Sequence, residues 1–261
     1  MYPPQPNPCH SNRIEAITVC VNYSDFLAET VKYNLNHFDR WVIVTTSDDT
    51  KTIELCRKWN LQVVTTNEFT RGGPRPFNKG RGISLGLNYL SGNSWVLHLD
   101  ADIVLPQQFR QMLDVAHLDP TCLYGCDRVM IKTWKEWKAF EKSGWLHAQH
   151  GYHLCCNFPG QARIGTRIIR GRHGYTPIGF FQLWHYNEGI HSGFRWKDYP
   201  DASDDAAHSD IKFALHWDRR HRILIPEILV AHLESESLGM GANWKGRKTK
   251  LFGPDSNEKS T

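Results

Sequence analysis

Along the first hundred residues the apolar positions alternate between two spacings, one of every second residue and one of a helical turn. Ile14 to Val21 predicts a strand, with Ala, Ile and Val around Thr18. Ser24 and Asp25 then stand where a helix N-cap belongs, ahead of an amphipathic run from Phe26 to Phe38. Trp41 to Thr46 predicts a second strand, closed by Ser47, Asp48 and Asp49 before a helix to about Trp59. Leu61 to Thr66 predicts a third strand. Asn78 to Leu90 predicts a helix in spite of Gly80, Gly82 and Gly86, and Trp95 to Leu99 a short buried strand that ends in Asp100-Ala101-Asp102.

Apolar strands separated by amphipathic helices are the pattern of right-handed βαβ units and a parallel sheet. The first half therefore predicts a doubly wound α/β half-domain. The second half is less regular. A Trp-rich helix from Thr133 to Gly144 precedes a Gly- and Arg-rich segment to about Gly174. A strand at Pro177 to Trp184, a loop to about Ser203, a helix from Asp204 to Trp217 and a last strand at Ile223 to Ala231 complete the reading.

With 261 residues, 40% of them hydrophobic and 22% charged, the chain supports one sizeable core and reads as a single domain. Residues 1–12 carry Pro3, Pro4, Pro6 and Pro8 and almost nothing apolar, so they are expected to form a flexible arm. The domain is expected over residues 13–252, divided into 13–105 and 106–252, with 253–261 a flexible tail. No apolar run is long enough to span a bilayer, and the first residues lack the zones of a secretion signal. The expectation is a cytoplasmic protein, in a host cytoplasm if viral. Seven Cys, an odd number, fit reduced thiols. Cys122 with Cys126, and Cys155 with Cys156, lack the second pair that a structural zinc clip needs.

A net charge of +4 does not by itself indicate a nucleic-acid partner. The charge is nevertheless clustered: Arg163, Arg167, Arg170, Arg172 and His173 in one stretch, Lys245, Arg247, Lys248 and Lys250 in another. Each reads either as a local positive surface or as a solvated loop.

The sharpest chemical feature is His98-Leu99-Asp100-Ala101-Asp102, a buried strand ending in two carboxylates. Ligands of parallel α/β sheets collect beyond the carboxyl ends of the strands. Strand alternation turns Asp100 and Asp102 to the same side. Two hard oxygen donors on one rigid element suit Mn²⁺ or Mg²⁺ carrying a diphosphate. On local sequence the pair reads equally well as a capping acid beside a solvated one.

In this order of elements, with an acid-x-acid motif ending the fourth strand, the chain resembles the GT-A fold glycosyltransferases over roughly Arg13 to Lys250. The resemblance is one of pattern and order, clearest from Ile17 to Leu105. It implies a GT-A fold with a mixed sheet and a mobile C-terminal lid, a UDP-sugar donor, and direct metal binding by Asp102 with Asp100 meeting the ribose or the metal through water. It further implies base or ribose contacts from Asn22, Tyr23 and Asp48. The stretch Phe77-Asn78-Lys79-Gly80-Arg81-Gly82-Ile83-Ser84-Leu85-Gly86 is similar to the glycine-punctuated helix under the donor. Ser84 stands where an Arg-Asn pair is common, and Lys79 or Arg81 would supply charge to the diphosphate, unless they merely open an exposed helix.

His232, after the last strand, resembles the family's third metal ligand, and the tail with Gly239, Gly241, Asn243, Trp244, Lys245 and Arg247 its lid. Trp244, Lys245 and Arg247 would cover the donor and neutralise the departing diphosphate. Ser209-Asp210 resembles the acid-Asp motif that opens the acceptor-side helix of inverting members. Asp210 is then the candidate base, with Asp205 the alternative because Ser209 replaces the usual acid.

Phe180, Phe181, Gln182, Trp184, His185 and Tyr186 stand where such enzymes shape the acceptor pocket, although Phe181 reads as core. The basic clusters and Asn243-Trp244-Lys245-Gly246-Arg247 resemble small enzymes of phage and base-J DNA modification. They imply a hydroxymethylated pyrimidine in DNA as the leading acceptor, with a saccharide or glycolipid as the alternative. A nucleotidyltransferase would need a glycine-rich loop after the first strand, and Val21-Asn22-Tyr23-Ser24-Asp25 is not one. Asp102, His232 and Asp210 together argue against an inert binding module.

Overall fold

Among the described residues nine strands form one mixed sheet, and six α-helices flank it on both faces. The computed structural model describes residues 13–70, 77–92, 94–147, 163–164, 174–186, 199–201, 206–233 and 251–254. In chain order the elements are β1 (Ile14–Val19), α1 (Ser24–Asn34), β2 (Arg40–Thr45), α2 (Thr50–Lys58), β3 (Gln62–Thr65), α3 (Lys79–Leu87), β4 (Trp95–Leu99), β5 (Ile103–Val104), α4 (Phe109–Val115), β6 (Leu123–Ile131), α5 (Trp134–Lys142), β7 (Arg163–Ile164), β8 (Phe181–His185), α6 (Ala206–Ala214) and β9 (Arg222–Leu233).

The strand order is β3-β2-β1-β4-β8-β6-β9-β5, with β7 on β6. β3, β2, β1 and β4 are parallel. β8 lies antiparallel between β4 and β6, and β9 runs parallel to β6. The C-terminal ends of β4 and β9 therefore open on the same edge of the sheet. The doubly wound α/β half expected from the sequence is observed, continued into a mixed second half.

Alternation along the strands divides the core. Ile14, Ala16, Trp41, Ile43, Leu97 and Leu99 pack under α1, α2 and α4. Ile17, Val42, Val44 and Val96 face Ile83 and Leu87 of α3 and Phe213 of α6. The glycines of α3 are explained by this second layer. A Cβ on Gly86 would stand 2.2 Å from Ile17 Cδ1, and one on Gly82 2.2 Å from the Phe69 ring. Only bare backbone lets α3 lie this close to the sheet.

Several expected boundaries move. Tyr23, not Ser24 or Asp25, is the N-cap of α1, and it makes no side-chain capping bond. Asp49 caps α2, accepting from Thr52 N at 3.2 Å. The strand expected from Pro177 begins only at Phe181, because residues 179 and 180 form a turn. β5, α4 and β6 were not expected. Cys20, Cys56, Cys122 and Cys126 are buried free thiols. Among the described residues no helix is long and apolar enough to cross a membrane. Phe252 packs on Phe26 and Trp134 and its N–H donates to Asp25.

Candidate active site

The first turn of α3 meets the end of β4, and this contact begins the site. Asn78 caps α3 by accepting from Arg81 N at 3.0 Å, which aims Lys79 at the strand end. Its ammonium pairs with Asp100 Oδ1. β4 stops at Leu99, and a tight turn closed by Ile103 N to Asp100 O carries Ala101 and Asp102. Strand alternation, which was expected to orient Asp102, ends at Leu99, and the turn brings the second carboxylate round instead. Burial raises the proton affinity of Asp100, and the neighbouring Asp102 carboxylate adds to it.

Asp102 faces His232 on β9, with Oδ2 at 3.3 Å from Nε2. Its Oδ1 is buried without a hydrogen-bond partner among the described residues. Burial lifts the pKa of Asp100, more than the nearby Lys79 lowers it. Burial opposes the charge of Asp102 as well, but His232 and Lys79 outweigh it and hold that carboxyl below its ordinary range. The pair is thereby split into one carboxyl with a raised proton affinity and one held ionised.

His232 is fixed on its other side. Its Nδ1 lies 3.0 Å from Arg128 Nη1, and the Arg128 guanidinium sits 4.6 Å from the centre of the Phe180 ring. The Phe180 and His232 rings are near-parallel at 6.2 Å. Met130 is the β6 partner of His232, so Arg128, two residues earlier, shares its face of the sheet.

Asp210 enters from α6. Its Oδ2 accepts from Gly179 N and its Oδ1 from Ile211 N, both at 2.7 Å. Burial raises its pKa, with the backbone donors and Lys79 opposing. Gly179 is needed for this approach, since a Cβ there would stand 3.0 Å from Asp210 Cβ and 3.1 Å from Oδ2. Gln182 ties α6 to β8, its Nε2 donating to the carbonyls of Pro177 and Asp210, each at 2.9 Å. Tyr199 donates to Gln182 Oε1 at 2.6 Å, and His98 Nδ1 lies 3.3 Å from the Tyr199 oxygen. His98 is fully buried, and desolvation together with Lys79 keeps it neutral, well below its ordinary pKa. His98 Nε2, 3.6 Å from Asp100 Oδ1, has no hydrogen-bond partner among the described residues.

Lys79, Asp100, Asp102, His232 and Asp210 are thus drawn into one electrostatic cluster. Among the described residues no three His, Cys, Asp or Glu side chains are grouped to hold a metal ion; Asp102 and His232 face each other while Asp100 turns to Lys79. Asn22, with φ 60°, gives its N–H to Asp49 at 2.7 Å and borders an open groove of about 670 Å³ between α1 and α2. Tyr23 stacks on Phe26, Asp48 is exposed, and Arg81 pairs with Glu68 at 3.4 Å. Asp205, Trp244, Lys245 and Arg247 lie outside the described residues, as do the basic stretches at 167–173 and 245–250. Gln182 and Trp184, expected near an acceptor pocket, are instead buried in β8, a central strand covered on both faces, where Phe181 is core as expected. Arg128 and Tyr199 were not singled out from sequence, and no local motif marks them; His98 entered only as part of the strand that ends in the two acids.

A buried carboxylate can act as a base, and the Asp102–His232 pair fits a hard divalent ion: Asp102 Oδ1 has unused acceptor capacity beside an imidazole. No family model and no curated protein matches the chain. Its fold is similar to glucosyl-3-phosphoglycerate synthase from Mycobacterium tuberculosis, solved in complex with Mn²⁺ and UDP-glucose, at 12% identity and a TM-score of 0.32 over 44% of this chain and 43% of that one. It is similar to mannosyl-3-phosphoglycerate synthase from Rubrobacter xylanophilus at 20% identity and a TM-score of 0.36, over 44% and 40%. A mycobacterial protein matches over 85% of this chain and 66% of that one, at 10% identity and a TM-score of 0.42. The chain therefore spans less than half the length of the two synthases. Likenesses at this level assign no reaction or substrate.

Proposed function

We propose that the chain is a metal-dependent glycosyltransferase that moves a sugar from a UDP-sugar to a hydroxyl acceptor with inversion. The observation that carries this reading is the gathering of Lys79, Asp100, Asp102, His232 and Asp210 at the edge where β4 and β9 end. Such edges receive ligands in α/β sheets.

Asp102 and His232, with Asp100 at the side, would hold Mn²⁺ or Mg²⁺. When bound, that ion neutralises the diphosphate as the bond from the sugar to phosphate breaks and its electron pair passes to the leaving group. Lys79 adds a second positive charge at the same edge. Asp210 takes the proton of the acceptor hydroxyl, whose oxygen then attacks the anomeric carbon from the face opposite the diphosphate. The raised proton affinity of Asp210 suits a base, and Gly179 and Gln182 hold it in place. Asn22, Tyr23 and Asp48 are proposed for the base and ribose, and Trp244, Lys245 and Arg247 for a lid.

The hydroxymethylated pyrimidine expected as acceptor rests on basic clusters whose side chains lie outside the described residues. The acceptor is proposed as a hydroxyl group, with DNA as one arm of the test. Thermal unfolding is followed with Mn²⁺, UDP and both together. Stabilisation by UDP that requires Mn²⁺, and that Asp102→Ala abolishes without unfolding the protein, supports the donor site. Equal shifts in wild type and Asp102→Ala refute it. Mass spectrometry of nucleosides from hydroxymethylated duplexes and of saccharide acceptors, each incubated with UDP-sugars, then separates the two acceptor classes.

A further inference from the structure

The hydrogen bond between Arg128 and His232 fixes which imidazole nitrogen carries the proton. A guanidinium has donors and no acceptor. With Arg128 Nη1 at 3.0 Å, His232 Nδ1 must therefore offer its lone pair. The ring proton then resides on Nε2, the nitrogen that points at Asp102 Oδ2 from 3.3 Å. A nitrogen that carries a proton has no lone pair for a metal ion.

We infer that Arg128 is a positioning residue that governs the metal site, holding His232 in the tautomer that donates to Asp102 and yielding when a divalent ion takes Nε2. The inference rests on the metal reading of Asp102 and His232 given above. Proton balance requires no other reactant: the ring gives up the Nε2 proton, takes one from water at Nδ1, and stays neutral. Nδ1–H and the guanidinium are then two donors face to face, so Arg128 has to leave that contact. Arg128 is poised for this role because the Phe180 ring, 4.6 Å from its guanidinium, holds it independently of the imidazole. Metal binding in the wild type therefore works against a charge-assisted hydrogen bond, and removing Arg128 removes that opposition.

The test is Mn²⁺ titration of the full chain by calorimetry, with wild type, Arg128→Met, His232→Ala and the double variant, together with ¹⁵N-edited NMR of the histidine rings without metal. Arg128→Met keeps an unbranched apolar stem and loses the guanidinium with its donors. It is expected to tighten Mn²⁺ binding about tenfold, the scale of one charge-assisted hydrogen bond. In the His232→Ala background the same change is expected to have no effect, since Arg128 acts through the ring. The wild-type His232 ring is expected as the Nε2–H tautomer and Arg128→Met as a mixture. Arg128→Lys, which retains a donor, is expected to stay near the wild-type affinity, and Arg128→Leu, which has none, replaces Arg128→Met if that variant does not fold.

An Nδ1–H tautomer in the wild type overturns the inference, and so does tightening that persists without His232, which would mark simple charge repulsion. Unchanged affinity in Arg128→Met, with Mn²⁺ bound and lost on His232→Ala, overturns the inference while leaving the metal reading standing. No Mn²⁺ binding by any variant overturns both.

Discussion

Gly80→Ala tests whether α3 and the segment around Pro200 meet as closely as the structure has them. A Cβ at Gly80 would stand 2.0 Å from the carbonyl oxygen of Pro200, and 3.0 Å from both the Pro200 carbonyl carbon and Ser209 Cβ. Relieving the overlap requires about 1 Å of movement in the helix or in the Pro200 backbone, and backbone cannot rotate away as a side-chain end can. Alanine offers the helix up to about 1 kcal/mol over glycine, while overpacking of a close contact costs about 1–3 kcal/mol. Because the obstacle is a carbonyl, the upper part of that range applies, and the net destabilisation is about 1–2 kcal/mol. Urea unfolding would show it as a lower midpoint at unchanged slope, and thermal unfolding as a fall of roughly 2–4 °C per kcal/mol. Gly253→Ala, where an added Cβ meets nothing within 4 Å, is the control and should stay within about 0.5 kcal/mol of wild type. Lys79 is the preceding residue, so the same movement pulls its ammonium from Asp100, and Mn²⁺-dependent UDP binding should weaken as well. A Gly80→Ala protein with the wild-type midpoint would refute the close packing of α3.

Other changes test the chemistry and the buried charges. Asp210→Asn should lower kcat about 10²–10⁴-fold with Mn²⁺-dependent UDP binding retained; wild-type turnover would remove Asp210 as the base. Because burial raises the Asp210 pKa, turnover should fall on acidification with a midpoint above the ordinary aspartate value of about 3.9; an acid limb at or below that value contradicts the assignment. His37, buried beside Arg110, is lowered from 6.5 to about 4. The folded state favours its neutral form, so this contribution to stability is complete above pH 6.5 and lost as the pH falls toward 4. It amounts to about 3 kcal/mol over that window, and His37→Gln should flatten the decline in urea midpoint between pH 7 and pH 4. An unaltered decline would place the acid sensitivity elsewhere.

The parallel half was legible because its strands are mostly apolar and its turns carry Asp, Asn or Ser. Asp49 and Asn78 announce the starts of α2 and α3, and each makes its capping bond. Asp100 and Asp102 were legible as a pair for the same reason, standing at the abrupt end of an apolar strand. What the local pattern could not give was their division of labour. Lys79 takes Asp100 because the glycines of α3 bring its first turn down to the sheet, and His232 takes Asp102 because β9 returns beside β5. Both facts depend on contacts distant in sequence. The aromatic run from Phe180 misled because a central strand and a pocket wall share the same apolar composition, and β8 became the former.

β6 is the instructive omission. Its middle reads Gly125-Cys126-Asp127-Arg128, and two adjacent charges break the apolar run that marks a buried strand. The register with β9 also jumps between Gly125 and Asp127, so β9 bulges around Pro226 and no clean period survives in either strand. Yet Asp127 and Arg128 are only 3% and 8% exposed. Charged side chains are retained at such positions only when paired, and an apolar residue of like volume would often serve stability as well. Packing alone therefore does not account for Arg128. Its guanidinium includes a donor aimed at His232 and a cation over Phe180, which an apolar residue would not supply. A departure from the local rule that ends on a site residue is where function is expected to override pattern. The strand that was hardest to read is thus the one that sets the state of His232.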